Sequence, residues 1–233
     1  MKAILVRVGI DATAGGWNGP VDTRTGEFVF VPIPEVKEDL RHGHERYYDE
    51  LTPRLQEFGS GLPDHLGGRI MHLDPDFEHL TYGDKYRRGE QVRTLKHGDI
   101  IVFYAGLRSL RSSDTQLVYA LVGVFVVDEV LPAKKVIPAR WLENAHTRRI
   151  PDERDLVVRA IPGKSGRLEK CIPVGEYRNR AYRVRRDVLK AWGGLSVRDG
   201  YIQRSAHLPN LCDPQEFCRW LSDQKVHLIR RSW

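Results

Sequence analysis

The chain has 233 residues, 41% hydrophobic and 29% charged, which is ordinary globular usage with ample length for a core and argues against disorder, collagen-like repeats and coiled coils. The net charge of +6 is one-sided: residues 1–133 carry 15 Lys and Arg against 20 Asp and Glu, whereas residues 134–233 carry 22 against 11. The longest nearly uninterrupted apolar run, residues 117–127, is far short of the roughly 20 residues that cross a bilayer, so a cytoplasmic protein with no membrane association is expected.

Residues 3–10, AILVRVGI, form an apolar, β-branched run that reads as a buried strand emptying into the Gly-rich loop DATAGGWNGP. In GEFVFVPIPE, Phe28 and Phe30 face one side and Val29 and Val31 the other, a strand ended by Pro32 and Pro34. Residues 35–58 mix charged and apolar positions at helical spacing, with Leu40, Tyr47, Tyr48, Leu51 and Leu55 turned inward, and one or two helices are expected there. Residues 69–73 suggest a short strand running into the acidic, turn-rich DPDFEHLTYGD.

A second β-rich portion begins at residues 95–107, with a turn at Gly98-Asp99, and returns through 117–130; the pair suits the centre of a small barrel or sheet. Residues 108–116 between them read as a polar loop. Beyond Pro132 a short helix is expected near 139–145, a strand at 156–161, a helix at 186–192 stopped by Gly193-Gly194, and a last helix after Asp213. Asp213 is a natural cap, Pro214 suits the first helical position, and Phe217, Trp220 and Leu221 supply a buried stripe. The fold class expected is α+β with a mixed, β-barrel-like core and flanking helices. Residues 134–233 are expected to form a basic C-terminal portion packed on the same core as residues 1–133.

Residues 72–84, HLDPDFEHLTYGD, concentrate carboxylates and two histidines. If the segment is extended, His72, Asp74 and Asp76 share a face, and a His-x-Asp pair offers two of the three ligands of a facial iron site, with His146 or His207 as a distal third. No spacing secures that third ligand, and Asp74 and Asp76 beside Pro75 equally suit turn and cap hydrogen bonds, so no metal is assigned and no cofactor is named. Neighbouring carboxylates can also divide acid and base roles; Asp11, Asp74 and Asp76 are the catalytic candidates. In the loop of residues 11–18, Trp17 could stack on a base and Asn18 read its edge, or Trp17 could pack into a tight turn. The loop has neither a P-loop nor a dinucleotide fingerprint. His42-x-His44 reads as surface, and no G-x-S-x-G elbow is present. Cys171, Cys212 and Cys218 contain no C-x-x-C pair, so neither a disulfide framework nor a four-thiolate zinc site is supported.

VRVGIDATAGGWNGPVD (6–22), FVPIPE (30–35), HLDPDFEHLTYGD (72–84) and GDIIVFYAGLR (98–108) resemble the prokaryotic nucleotide modification associated domains over roughly residues 1–130. The resemblance implies a role in systems that make, recognise or process modified DNA bases, and it brings no established catalytic set. GDIIVFYAGL followed by ALVGVFVVDEV is also similar to the core of PUA-like domains, where a base sits in an aromatic-lined pocket; that nominates Tyr104 with Trp17, and Arg108 for phosphate.

The leading expectation is a nucleic-acid-binding protein, with DNA as the partner, that recognises a modified base. The basic stretch Arg178, Arg180, Arg183, Arg185 and Arg186 would hold the backbone, and Asp11, Trp17, Asn18, Asp74, Asp76, Tyr82 and Tyr104 would form the pocket. The alternatives are an enzyme acting on a nucleobase or nucleotide with acidic general acid/base residues, and a scaffold whose basic face meets an acidic protein.

Overall fold

Strands form where the apolar runs lie. The computed structural model describes residues 1–111, 113, 115–203 and 207–233. In chain order the strands are β1 (Ala3–Arg7), β2 (Pro20–Val21), β3 (Ile33–Pro34), β4 (Met71–His72), β5 (Thr81–Asp84), β6 (Ile100–Ser109), β7 (Val118–Pro132), β8 (Leu156–Ala160), β9 (Gly166–Pro173), β10 (Gly175–Arg178), β11 (Ala181–Val184) and β12 (Leu228–Ile229). The α-helices are α1 (Thr52–Glu57), α2 (Tyr86–Arg93), α3 (Arg186–Ala191) and α4 (Pro214–Asp223).

The antiparallel pair β6 and β7 is the frame, with Ile100 opposite Val126, Leu107 opposite Val118 and a register shift between Phe103 and Tyr104. β1 runs parallel to β6 along its other edge, Ala3 opposite Ile100. β7 is long enough to serve two neighbours on its far edge: β9 pairs around Ala120 to Val124, and β8 pairs from Val127 to Pro132. β8 in turn carries β5, with Gly83 opposite Val157. The result is a mixed sheet in an α+β chain, as expected from the sequence. Its main path runs β1-β6-β7-β8-β5, and no closed barrel forms among the described residues, so the barrel-like, PUA-like core is not confirmed.

Alternation along β6 splits the core into two faces. Ile101, Phe103, Ala105 and Leu107 pack with Phe28, Phe30, Phe77 and Phe125 on one side. Ile100, Val102 and Tyr104 pack with Trp192 and Phe217 of the C-terminal helices on the other. Phe77 is the anchor that matters for the site. Its ring meets Phe30, Phe103 and Phe125 edge-on at centroid distances of 5.4, 5.8 and 5.6 Å, which pins the acidic segment between β4 and β5 against the sheet.

Three local expectations change. Phe28 and Phe30 do face the first core cluster, and Val29 and Val31 a third one with Tyr48, Leu51 and Leu55. Residues 26–31 nevertheless form no regular strand; pairing becomes regular at β3, opposite β4. Residues 35–47 are irregular, with a 3₁₀ turn at Tyr48–Leu51 leading into α1, and Tyr47 is exposed. The prolines at 32 and 34 cannot donate to a ladder, and the chain they direct is drawn into a crossing with β4. The expected helix near 139–145 is a 3₁₀ turn, Pro138–Glu143. Residues 112 and 114 of the expected polar loop lie outside the described residues. Among the described residues no helix is long and apolar enough to cross a membrane.

α4 starts as its sequence signals. The Asp213 carboxylate accepts from the backbone N–H of Gln215 and Glu216, both at 3.0 Å, Pro214 occupies the first turn, and Phe217 is buried. Asp213→Ala should therefore lower stability by about 1 kcal/mol in urea unfolding; an unchanged midpoint would mean that solvent satisfies those donors as well.

Candidate active cleft

A cleft with a cavity of about 400 Å³ opens where β1, β3, β4 and β5 converge with the segments around His146 and Pro209. Its floor is polar and built from four separate stretches of chain. Pairing of β3 with β4 sets Ile33 opposite His72, which brings Glu35 alongside: the Glu35 carboxylate accepts from His72 Nδ1 at 2.6 Å. Burial pushes the Glu35 carboxyl upward, but this bond and the His72 and Arg149 charges outweigh it and hold its pKa at about 2.

Two residues on, Asp74 points into the cleft. Its Oδ1 accepts from the Gly83 N–H of β5 at 2.8 Å and from the Asn144 amide at 3.0 Å. Its Oδ2 lies 3.8 Å from His146 Nε2, beyond hydrogen-bond reach. Burial raises the Asp74 carboxyl above its ordinary range despite the nearby histidines. His146 is oriented from behind by Asp155, which accepts from its Nδ1 at 2.9 Å, and Arg149 holds the other oxygen of Asp155, also at 2.9 Å. The His72 and His146 rings meet edge to face, 5.0 Å apart.

A carboxylate can only accept, so His72, when it keeps a single ring proton, keeps it on Nδ1 and leaves Nε2 as a lone pair. At His146, Nδ1 faces both the Asp155 carboxylate at 2.9 Å and the donor Arg149 Nη2 at 3.1 Å.

The close approach of His146 depends on Gly83. A Cβ there would stand 2.2 Å from His146 Cδ2 and 2.7 Å from Asn144 Oδ1, so only glycine lets β5 touch the ring while its N–H holds Asp74.

The walls are charged. Lys37 and Lys85 both reach Asp152, at 3.4 and 3.2 Å, and Arg7 pairs with Asp11 at 3.1 Å. Deeper in, Arg88 donates to the Tyr82 hydroxyl at 2.8 Å, and Tyr82 donates to Asp84. Burial lifts the Tyr82 hydroxyl well above its usual range.

Of the residues nominated from sequence, Asp11, Asp74, Tyr82 and Tyr104 line this cleft. Asp11 also ties its own loop, accepting from Thr13 and Ala14, and the Tyr104 hydroxyl donates to the Ile202 carbonyl. Asp76 points the other way, accepting from the backbone of Glu78 and His79 and from Arg148. Trp17 packs against the third core cluster, and Asn18 is buried on the Gly106 carbonyl. The arginines form a separate surface. Arg178 and Arg183 bind Asp199, Arg185 lies 3.5 Å from Asp187, Arg180 and Arg186 are exposed, and Arg108 sits exposed at the end of β6. Tyr182 of β11 stacks on Tyr119 at 4.0 Å, and Tyr119 lies under the Arg7 guanidinium of the cleft wall.

Glu35, Asn144, Asp155 and Arg88 were not nominated from sequence. One signal was present: Glu143-Asn-Ala-His-Thr-Arg-Arg149 is a mostly polar run with no helical or strand periodicity, and every residue in it is buried. Buried polar segments require partners; Asn144, His146 and Arg149 find them at the cleft, and Glu143 and Arg148 find them away from it, on Arg159 and Asp76.

A family model described as nucleotide modification associated domain 3 matches residues 2–209. The chain belongs to this family. The cleft lining runs from Leu5 to Pro209 and so lies wholly within the matched stretch, whereas α4 and β12 lie beyond it. The family's description ties the chain to nucleotide modification, and the match extends past residue 130, well into the basic portion. No curated protein and no solved structure matches the chain.

Proposed function

We propose that this member of the nucleotide modification associated domain 3 family is an enzyme of a DNA modification system that acts on a nucleobase or nucleotide in the cleft. The observation that carries this reading is the floor itself. Glu35, His72, Asp74 and His146, from three separate stretches, line one cavity and are largely buried, and Asp155 from a fourth backs His146. Burying that many ionisable groups opposes folding and is characteristic of reacting centres. The cavity volume of about 400 Å³ suits a small molecule or a single nucleotide.

The rings favour catalysis over base reading. Tyr82 and Tyr104 are 2% and 3% exposed with their hydroxyls engaged, so they offer little face on which a base could stack, an interaction worth about 1–3 kcal/mol per base where present. DNA phosphates would lie on the basic surface of β10, β11 and α3, where Arg180 and Arg186 are exposed.

Anisotropy titrations of DNA at several salt concentrations should show a steep dependence on salt. The slope should fall by about 2 in the Arg180→Ala/Arg186→Ala double variant, roughly one for each phosphate that is no longer neutralised. Nucleosides digested from DNA after incubation with a small-molecule cell extract should show a mass change that Asp74→Asn abolishes while DNA affinity stays unchanged. Salt-insensitive or absent DNA binding would sink the DNA reading. Tight, salt-sensitive binding with no mass change would leave a reader in place of an enzyme.

A further inference from the structure

We propose that His72, Asp74 and His146 form a mononuclear site for a divalent first-row transition metal ion at the floor of the cleft. One donor atom from each residue lies within 4.8 Å of the others, and among the described residues no other group of three His, Cys, Asp or Glu side chains has this spacing. Two donors bonded to one ion at about 2.0–2.2 Å, at tetrahedral or octahedral angles, stand about 3–3.5 Å apart. The 3.8 Å between His146 Nε2 and Asp74 Oδ2 is too long for a hydrogen bond and only a little longer than that separation. Small side-chain rotations gather the set.

The surroundings are those of a metal centre rather than of a chance cluster. Both histidines are backed at Nδ1 by a buried carboxylate, Glu35 behind His72 and Asp155 behind His146, with side-chain exposures of 4% and 0%. That arrangement fixes the orientation of both rings and leaves Nε2 as the free donor atom of His72. Asp74 is held the same way: Gly83 and Asn144 occupy its Oδ1 and leave Oδ2 to face His146. A simple ion pair would need none of these three supports.

Two imidazoles and one carboxylate suit ferrous iron or zinc and disfavour magnesium and calcium, which prefer oxygen ligands. Three protein ligands from one side leave positions facing the cavity, where water or a substrate oxygen completes the shell. The site lies in the cleft of the proposed reaction and rests on that reading only for its substrate.

The test is binding without any nucleotide. Chelator-treated protein is titrated with Zn²⁺ calorimetrically, and with Fe²⁺ under anaerobic conditions, with Mg²⁺ as the competitor. One equivalent should bind, millimolar Mg²⁺ should not displace it, and His72→Gln, Asp74→Asn or His146→Gln should each weaken binding by at least about 100-fold. His42→Gln, on an exposed loop away from the cleft, should change nothing. If a cleft variant fails to fold by circular dichroism, the wild type still decides: one equivalent of Co²⁺ should give the visible absorption of a low-symmetry nitrogen and oxygen site. No saturable one-to-one binding by the wild type, or undiminished binding by folded His72→Gln and His146→Gln, would overturn the proposal. Loss of the metal result would leave the nucleotide assay standing, and the reverse holds equally.

Discussion

Replacing Arg148 with methionine should lower the stability of the protein by about 3–5 kcal/mol, because it strands a carboxylate that has no access to water. Asp76 is fully buried and Arg148 is 3% exposed; the guanidinium donates to Asp76 and, at 2.6 Å, to the Leu142 carbonyl. Burial alone would raise the Asp76 carboxyl, but the His79 hydrogen bond and the Arg148 charge outweigh it and hold the pKa below its ordinary value of 3.8.

The sign of the pH dependence follows. A carboxylate with a depressed folded-state pKa contributes stability above its unfolded value, and that contribution is lost as pH falls through the folded value. The gap between wild type and Arg148→Met should thus be widest near neutrality and narrow below pH 4 or so, once Asp76 takes up a proton. Arg148 Nε and Nη1 have no hydrogen-bond partner among the described residues, so the pair is imperfectly satisfied. Asp76→Asn combined with Arg148→Met should accordingly be more stable than Arg148→Met alone. Guanidinium unfolding at pH 7 and at about pH 3 or below measures all of this. A single-variant loss under about 1 kcal/mol at pH 7 would show that water reaches Asp76.

Gly83→Ala is the second change with a large expected effect, and it falls on function. A methyl group at this position cannot coexist with the His146 ring 2.2 Å away, so either the ring or β5 must move. The Gly83 N–H that holds Asp74 moves with the strand. Misplacing a reacting group by about 1 Å commonly costs about 100-fold, and zinc affinity and turnover should both fall by that order. His146→Gln should give a loss of similar size, and combining the two should add little, because both act through the same ring. Zinc titration of Gly83→Ala checks this; full affinity in the folded variant would remove His146 from the centre.

How much could be read in advance differs from element to element. The β6 and β7 strands, the end of β1, α3 and α4 announce themselves through apolar runs, turns and caps that act within a few residues. α2 does not: its sequence, YRRGEQVR, buries only Gly89 and Val92, and it is held by its neighbours rather than by an apolar stripe of its own. The alternation at Phe28 to Val31 was legible, yet regular pairing begins only at Ile33, because the proline-bounded segment is directed toward β4.

The site divides along the same line. The residues by themselves determined that His72 and Asp74 stand close together beside a proline in a carboxylate-rich segment, and that a distal histidine was needed to complete a three-ligand set. Which histidine, and which carboxylate, only the tertiary structure decided. His146 joins the group because Gly83 admits its ring and Asp155 aims it, whereas His207 lines the cleft without entering the trio. Asp76 turns away because Phe77 is locked into the aromatic core, leaving Asp74 on the cleft side and Asp76 beside Arg148. These choices bring together residues about 70 positions apart, as with Asp74 and Asn144. Periodicity and capping act over a few residues, so nothing local in the chain encodes such a meeting; it is set by which faces of the sheet have already been filled.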